Sequence, residues 1–175
     1  MKPSFFLISK TAGYGSVIDT TKNTLINIGL YVGTHFNYGP VKFQYGLGLE
    51  YDSWKRELSV IQIETYKWYS YVPYIGLIYK YNDFSVGVGY KYHHSFKSEM
   101  DYEQYVFNLG PVITNEIYVP VSYDINDQFS VNLEIGRKYQ KINSSKNLNI
   151  GSGTYFEPMS KNEKDYLKFG ISYKF

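Results

Sequence analysis

Between Thr24 and Phe36 the chain alternates strictly: Ile26, Ile28, Leu30, Val32 and Phe36 share one face, and Asn27, Gly29, Tyr31, Gly33 and His35 share the other. A period of two marks a β-strand with one apolar and one polar face. After Asn37-Tyr38-Gly39-Pro40, a tight reversal, the pattern returns with Val41, Phe43, Tyr45, Leu47, Leu49 and Tyr51 against Lys42, Gln44, Gly46, Gly48, Glu50 and Asp52. These segments predict a long hairpin. A fourth strand carries Tyr69, Tyr71, Pro73, Ile75, Leu77 and Tyr79, and turns at Tyr81-Asn82-Asp83-Phe84 into a fifth with Phe84, Val86, Val88, Tyr90 and Tyr92. Tyr105 to Asp124 keeps the period for most of its length, Ile125-Asn126-Asp127-Gln128 is a third tight turn, and Phe129, Val131, Leu133 and Ile135 follow it. The last strand alternates through Leu167, Phe169, Ile171, Tyr173 and Phe175. Ser4 to Tyr14 predicts a first strand, but contiguous Phe5, Phe6, Leu7 and Ile8 leave its register open.

The sum is eight strands. Polar stretches at Gly15 to Lys22, Ser53 to Glu57, His94 to Glu103 and Gln140 to Glu163 read as loops, so the connections alternate long and short. That asymmetry is the pattern of a membrane barrel with tight turns on one side and long loops on the other. Leu58 to Lys67 and Tyr105 to Ile113 are candidates to prolong strands four and six into a protruding sheet whose edge an extended partner could join.

Alternation alone does not say which face is buried. Gly29, Gly33, Gly46, Gly48, Gly76, Gly87, Gly89, Gly136 and Gly170 sit on the polar face, where they make room inside a narrow eight-stranded barrel. The same face carries Lys42, Glu50, Lys80, Lys91, Glu116, Asp124, Glu134 and Lys168. Charges enclosed in that way persist only when paired, so a salt-bridged polar plug is expected. On the apolar face, aliphatics occupy mid-strand; Phe36, Tyr79, Phe84, Tyr123, Phe129 and Phe175 lie at the turn side, and Tyr51, Tyr71 and Tyr92 at the loop side. Those are the positions of two interfacial aromatic girdles. No charge falls on this face within strands two to eight as drawn.

Composition narrows the classes. Of 175 residues 43% are hydrophobic, yet no run approaches the roughly 20 apolar residues of a transmembrane helix, which excludes a helical membrane protein. The 21 Tyr and 15 Gly suit strands and crowded barrel interiors. A net charge of +2 with interspersed signs asks for no nucleic-acid partner. With no Cys, disulfides and thiolate metal sites are ruled out. Lys10 interrupts the apolar run that opens the chain and no small-residue cleavage site follows, so the expectation is a mature sequence behind a start Met, without its export signal.

A chain with this closing strand, ending on Phe175, resembles bacterial outer-membrane barrels, in which the terminal Phe is read by the outer-membrane assembly machinery. In pattern and length the whole sequence resembles the small eight-stranded outer-membrane proteins of the OmpX/Ail and opacity-protein type. The resemblance implies a single-domain, residues 1–175, eight-stranded antiparallel transmembrane β-barrel with short periplasmic turns and long extracellular loops. It implies a bacterial outer-membrane location, contact with outer-membrane lipid and lipopolysaccharide, and loops that contact host proteins or lipopolysaccharide.

One stretch resembles a catalytic site: Tyr92-His93-His94-Ser95, with Glu99, Asp101 and Glu103 after it. A His, a Ser and a carboxylate are the parts of a Ser hydrolase, and His93 with Ser95 is similar to the His-x-Ser motif of lipid A deacylases of the PagL type. Phe96 stands where that family has Asn, and the motif lies far from the chain end where the family carries it. His93 and His94 point to opposite faces of a strand, which argues against a shared metal. His35 is expected to be a hydrogen-bonded interior residue, and Lys55, Arg56, Lys138 and Lys141 to form solvated loop rims, with contact to lipopolysaccharide phosphates as the alternative. A small diffusion channel is the third class, which the charged interior opposes. No cofactor or metal is expected.

Overall fold

The computed structural model of the chain describes residues 9–13, 22–57 and 63–173. Its strands are β1 (Ser9–Gly13), β2 (Lys22–Tyr38), β3 (Val41–Glu57), β4 (Ile63–Tyr81), β5 (Phe84–Tyr102), β6 (Tyr105–Asn108), β7 (Val112–Asp124), β8 (Phe129–Ile142), β9 (Leu148–Ile150), β10 (Gly153–Tyr155) and β11 (Ser160–Tyr173). There is no helix among the described residues. One antiparallel sheet runs in the order β1-β2-β3-β4-β5-β7-β8-β11, with β6 beside β5, and β9 and β10 form a separate small hairpin. Of the expected first strand only Ser9–Gly13 is described, paired through Ser9 with Asn27; the rest of it, Leu58 to Gln62 and Phe175 lie outside the described residues.

The sheet curls on itself, because side chains of strands that are not neighbours meet inside it. His93 of β5 reaches Glu50 of β3. Lys91 of β5 lies 5.7 Å from the Tyr31 ring of β2, and Lys164 of β11 lies 5.0 Å from the Trp54 ring of β3. Two tight turns at one end need a left-handed residue and have one, Gly39 and Asn82, which the chain supplies at low steric cost. Several inner glycines are covered by tyrosine rings. A Cβ at Gly89 would stand 2.1 Å from Tyr118, and one at Gly136 would stand 2.4 Å from Tyr166.

At the tight-turn end the sheet wears its apolar side chains outward. Leu30, Leu47, Ile75, Val88, Ile135 and Phe169 are all more than half exposed. Rings mark both margins of this band, with Phe36 stacked on Phe43 and Phe129 against Tyr173 at one, and Tyr51 on Tyr69 and Tyr71 on His94 at the other. Towards the opposite end the faces exchange character. Tyr66, Trp68, Met100, Phe107, Val112 and Ile142 form a buried core. The outer face there carries ion pairs, Lys67 with Asp101, Lys55 with Glu57, Lys97 with Glu99, and Arg137 with Asp165.

These outer pairs correct the sequence reading, which drew strands ending at the polar stretches and found no charge on the outward face. Ser53 to Glu57, His94 to Tyr102, Gln140 to Ile142 and Ser160 to Glu163 are strand. The reason is the exchange of faces: a strand polar outside and aromatic inside shows loop-like charge density while keeping its period. The expected single strand from Tyr105 to Asp124 is interrupted between Asn108 and Val112, where Pro111 has no amide to give the ladder.

Beside that interruption β5 carries a bulge. Tyr69 pairs with Lys97 and Ser70 with Ser95, so Phe96 is the extra residue. The bulge turns Lys97 outward and Ser98 inward, and two serines close the gap it leaves. Ser95 Oγ accepts the Val112 amide at 2.7 Å, while Ser98 Oγ donates to the Gly110 carbonyl at 2.9 Å. Ser95 is 2% exposed, so its loss strands a buried amide. Ser95→Ala is expected to lower stability by about 1–3 kcal/mol, read from the urea midpoint of the refolded chain, whereas Ser144→Ala, at an exposed loop position, leaves it within about 0.5 kcal/mol.

Candidate functional site

The inner face between the two aromatic margins holds a continuous charged network. Glu116 of β7 is its hub and is fully buried. Lys91 Nζ lies 3.0 Å from its Oε1, and Lys138 Nζ lies 3.0 Å from its Oε2. The Tyr166 hydroxyl is 2.5 Å from Oε1 and 2.9 Å from Glu134 Oε1. Lys168 closes on Glu134 at 2.9 Å. His93 bridges to the far wall, with Nδ1 2.9 Å from Glu50 and Nε2 3.0 Å from Glu116. An imidazole facing an acceptor on each nitrogen satisfies both only as the doubly protonated imidazolium. Glu50 also accepts from the Tyr31 hydroxyl and from Asn27 Nδ2, whose amide reaches Asp52 at 2.8 Å. Four carboxylates thus face three lysines and an imidazolium, with Lys164 a further interior cation near Asp52; a low-dielectric interior demands such pairing.

Of the residues read as interior charges, Glu50, Lys91, Glu116, Glu134 and Lys168 meet in this network. Lys80 and Asp124 pair by themselves at 2.7 Å at the tight-turn end, where Ser130 also donates to Asp124. Lys42 stands half-buried near the same end, in register with Asn37 and Ile78. His35, expected to be enclosed, is exposed there. Lys138 is not a loop rim; it is an interior cation. Arg56 also turns inward, 5.1 Å over the Trp54 ring and 3.2 Å from Glu64, while Lys55 and Lys141 face out.

The His93 and Ser95 pair does not assemble a nucleophile and base. Both ring nitrogens of His93 are taken by carboxylates, and Ser95 Oγ is held by the Val112 amide. Glu99 lies beyond the bulge and pairs with Lys97 on the outer face. His94 faces outward and stacks 5.2 Å from Tyr71. Among the described residues no group of three or more His, Cys, Asp or Glu is placed to hold a metal ion.

Above the network lies a second cluster that the alternation did not announce. Tyr66 is buried, and its hydroxyl is 2.6 Å from Glu157 and 3.2 Å from both Glu64 and Arg56 Nη1. Burial, reinforced by the hydrogen bond and charge of Glu157, raises the tyrosine's pKa above its ordinary value. Burial also raises the Glu157 carboxyl, with repulsion from Glu64 adding to it. A cavity of about 140 Å³ opens here between Glu64, Met100, Tyr102, Phe107, Phe156 and Glu157, with Tyr155 on its wall. Tyr31 and Tyr166 in the lower network could have been found from the sequence, since each is a tyrosine on a glycine-bearing polar face. Glu157 gave no such signal, because it sits in a segment without periodicity.

Compared with known proteins, the chain matches no family model and no curated protein.

The network's weight is testable by contrast. Glu116→Gln removes the anion that Lys91, Lys138 and His93 share and is expected to cost about 3–5 kcal/mol in denaturant unfolding. Lys80→Ala breaks a pair whose lysine is 52% exposed and should cost less than about 1 kcal/mol.

Proposed function

We propose that the chain is an eight-stranded outer-membrane barrel, closed and polar-plugged, that acts through its outer end as a surface binding protein. The observation that carries this reading is the band of exposed aliphatic side chains around the tight-turn half, bounded above and below by aromatic rings. A contiguous apolar surface of that kind is unsuited to water and suited to lipid. Strands of 19 residues in β4 and β5 exceed the roughly 9–11 needed to cross a bilayer. The remainder would stand some 25 Å above it, where the outer face carries ion pairs and the inner face its own core.

In this reading the tight turns lie on the periplasmic side, and the segment between β8 and β11 faces outside. Contact with lipopolysaccharide or with host proteins falls to that outer end. The filled interior argues against a diffusion channel, and the engagement of Ser95 by the Val112 amide and of His93 by Glu50 and Glu116 argues against lipid A hydrolysis. The OmpX/Ail and opacity-protein resemblance and the terminal Phe175 belong to the same proposal.

Two measurements test it. Leu47→Arg, in mid-band, is expected to cost roughly 2–4 kcal/mol of folding free energy in lipid vesicles, while Lys67→Arg above the band should be silent; equal effects would sink the membrane reading. For binding, replacing residues 147–154 by a Gly-Ser linker should abolish attachment to host cells or to lipopolysaccharide-coated beads while the barrel still folds. Unchanged attachment would place the binding surface elsewhere.

A further inference from the structure

We propose that the cavity at the outer end binds a quaternary ammonium group, held by the aromatic walls of Tyr102, Phe107, Tyr155 and Phe156 and by the carboxylate of Glu157. This site is independent of the membrane reading. The charge count motivates it: Arg56 lies 3.2 Å from Glu64 and answers that carboxylate. Glu157 forms no ion pair of its own among the described residues, and the Arg56 charge that also acts on it is shared with Glu64, so one guanidinium faces two carboxylates. It receives the Tyr66 hydroxyl on Oε1, and Oε2 receives no hydrogen bond among the described residues.

Glu157 is nevertheless fixed in place. Its amide donates to Ser145 Oγ at 2.7 Å and its carbonyl accepts the Ser145 amide at 2.9 Å. Ser145 is in turn bridged to Leu109, beside the break after β6. A partly buried carboxylate held by its backbone, on a residue that lines a cavity, is a site for positive charge. Burial and the neighbouring Glu64 charge raise its pKa, against the Tyr66 hydrogen bond and the Arg56 charge.

The walls select the kind of cation. A divalent metal would need a shell of oxygen ligands, and this cavity is lined mostly by rings and by Met100. A primary ammonium has three donors to satisfy, and of the two carboxylates on the wall Glu64 is already engaged by Arg56. A quaternary ammonium donates nothing and is attracted to aromatic faces. The volume, about 140 Å³, suits a headgroup of few atoms and is below that of drug-sized pockets, which begin near roughly 300 Å³.

The test titrates choline chloride into the full chain, refolded in an uncharged maltoside detergent, by isothermal calorimetry. Saturable binding is expected, weakened about tenfold by Glu157→Gln, the loss of one charged contact worth some 1.4 kcal/mol. Phe156→Ala is expected to weaken it comparably and, because Phe156 is 57% exposed, without disturbing the fold; far-UV circular dichroism verifies both variants. Ethanolamine should bind more weakly than choline. Phosphocholine that competes points to a lipid or glycan headgroup as the source, and failure to compete points to the free cation; either result sustains the site. Absence of saturable heat with folded wild-type chain, or equal affinity in both variants, would overturn the proposal.

Discussion

The face that each strand must bury changes part-way along its length, and the rest of the architecture answers to that change. In the tight-turn half the interior is polar, so every charge there needs a partner across the sheet. In the other half the interior is mainly Tyr66, Trp68, Met100 and Phe107, with Arg56 and Glu64 paired among them, and the outer face carries further ion pairs. β4 accommodates the change by composition alone, with the same set of even-numbered positions inward throughout. β5 cannot, and Phe96 is inserted as a bulge so that Met100 falls inside and Glu99 outside. Ser95 and Ser98 then supply the hydrogen bonds that the disrupted ladder lacks.

The charged network does something the backbone ladder cannot. Ladder hydrogen bonds join each strand only to its neighbours, whereas Glu116, His93 and Glu50 link β7, β5 and β3 through the interior, and Tyr166 brings β11 to the same hub. Curvature is thereby fixed by chemistry as well as by twist. The arrangement also explains the composition: tyrosine can fill the space over a facing glycine and still present a hydroxyl to a carboxylate, as Tyr31 and Tyr166 do. Phenylalanine at those positions would fill the space and leave the carboxylates short of a donor.

Period-two alternation was enough to read the tight-turn half, because one face there is continuously apolar. Ile26 to Phe36 and Phe84 to Tyr92 point as their spacing indicated, and the three tight turns fall where Asn37 to Pro40, Tyr81 to Phe84 and Ile125 to Gln128 placed them. Parts of the other half, Ser53 to Glu57 and His94 to Tyr102, read as loop for a physical reason: Lys55, Glu99 and Asp101 are outward strand residues whose charge density imitates a loop. A bulge also breaks the parity on which such reading depends, and Pro111 interrupts a segment whose alternation reads as one strand from Tyr105 to Asp124. Lys138 reads as a rim only if its strand stops short of it; the strand runs to Ile142 and carries it inside. The partners of His93 lie 43 and 23 residues away, distances at which no spacing rule operates.

The division of labour between the two halves bears on where the proposed function resides. Glu116, His93 and the lysines occupy the middle of the interior, and their polar groups are spent on one another. The outer end is different, because its chain is ordered without being saturated. Gly110 and Asn108 receive the loop at Ser144 and Lys146, Asn143 donates to the Pro111 carbonyl, and Ser145 holds Glu157 from both sides. A surface held in this way meets a ligand with little conformational entropy left to lose. The carboxylate of Glu157 beside exposed Tyr155 and Phe156 is therefore better placed for recognition than any group in the network below, which is committed to holding the sheet in its curled form.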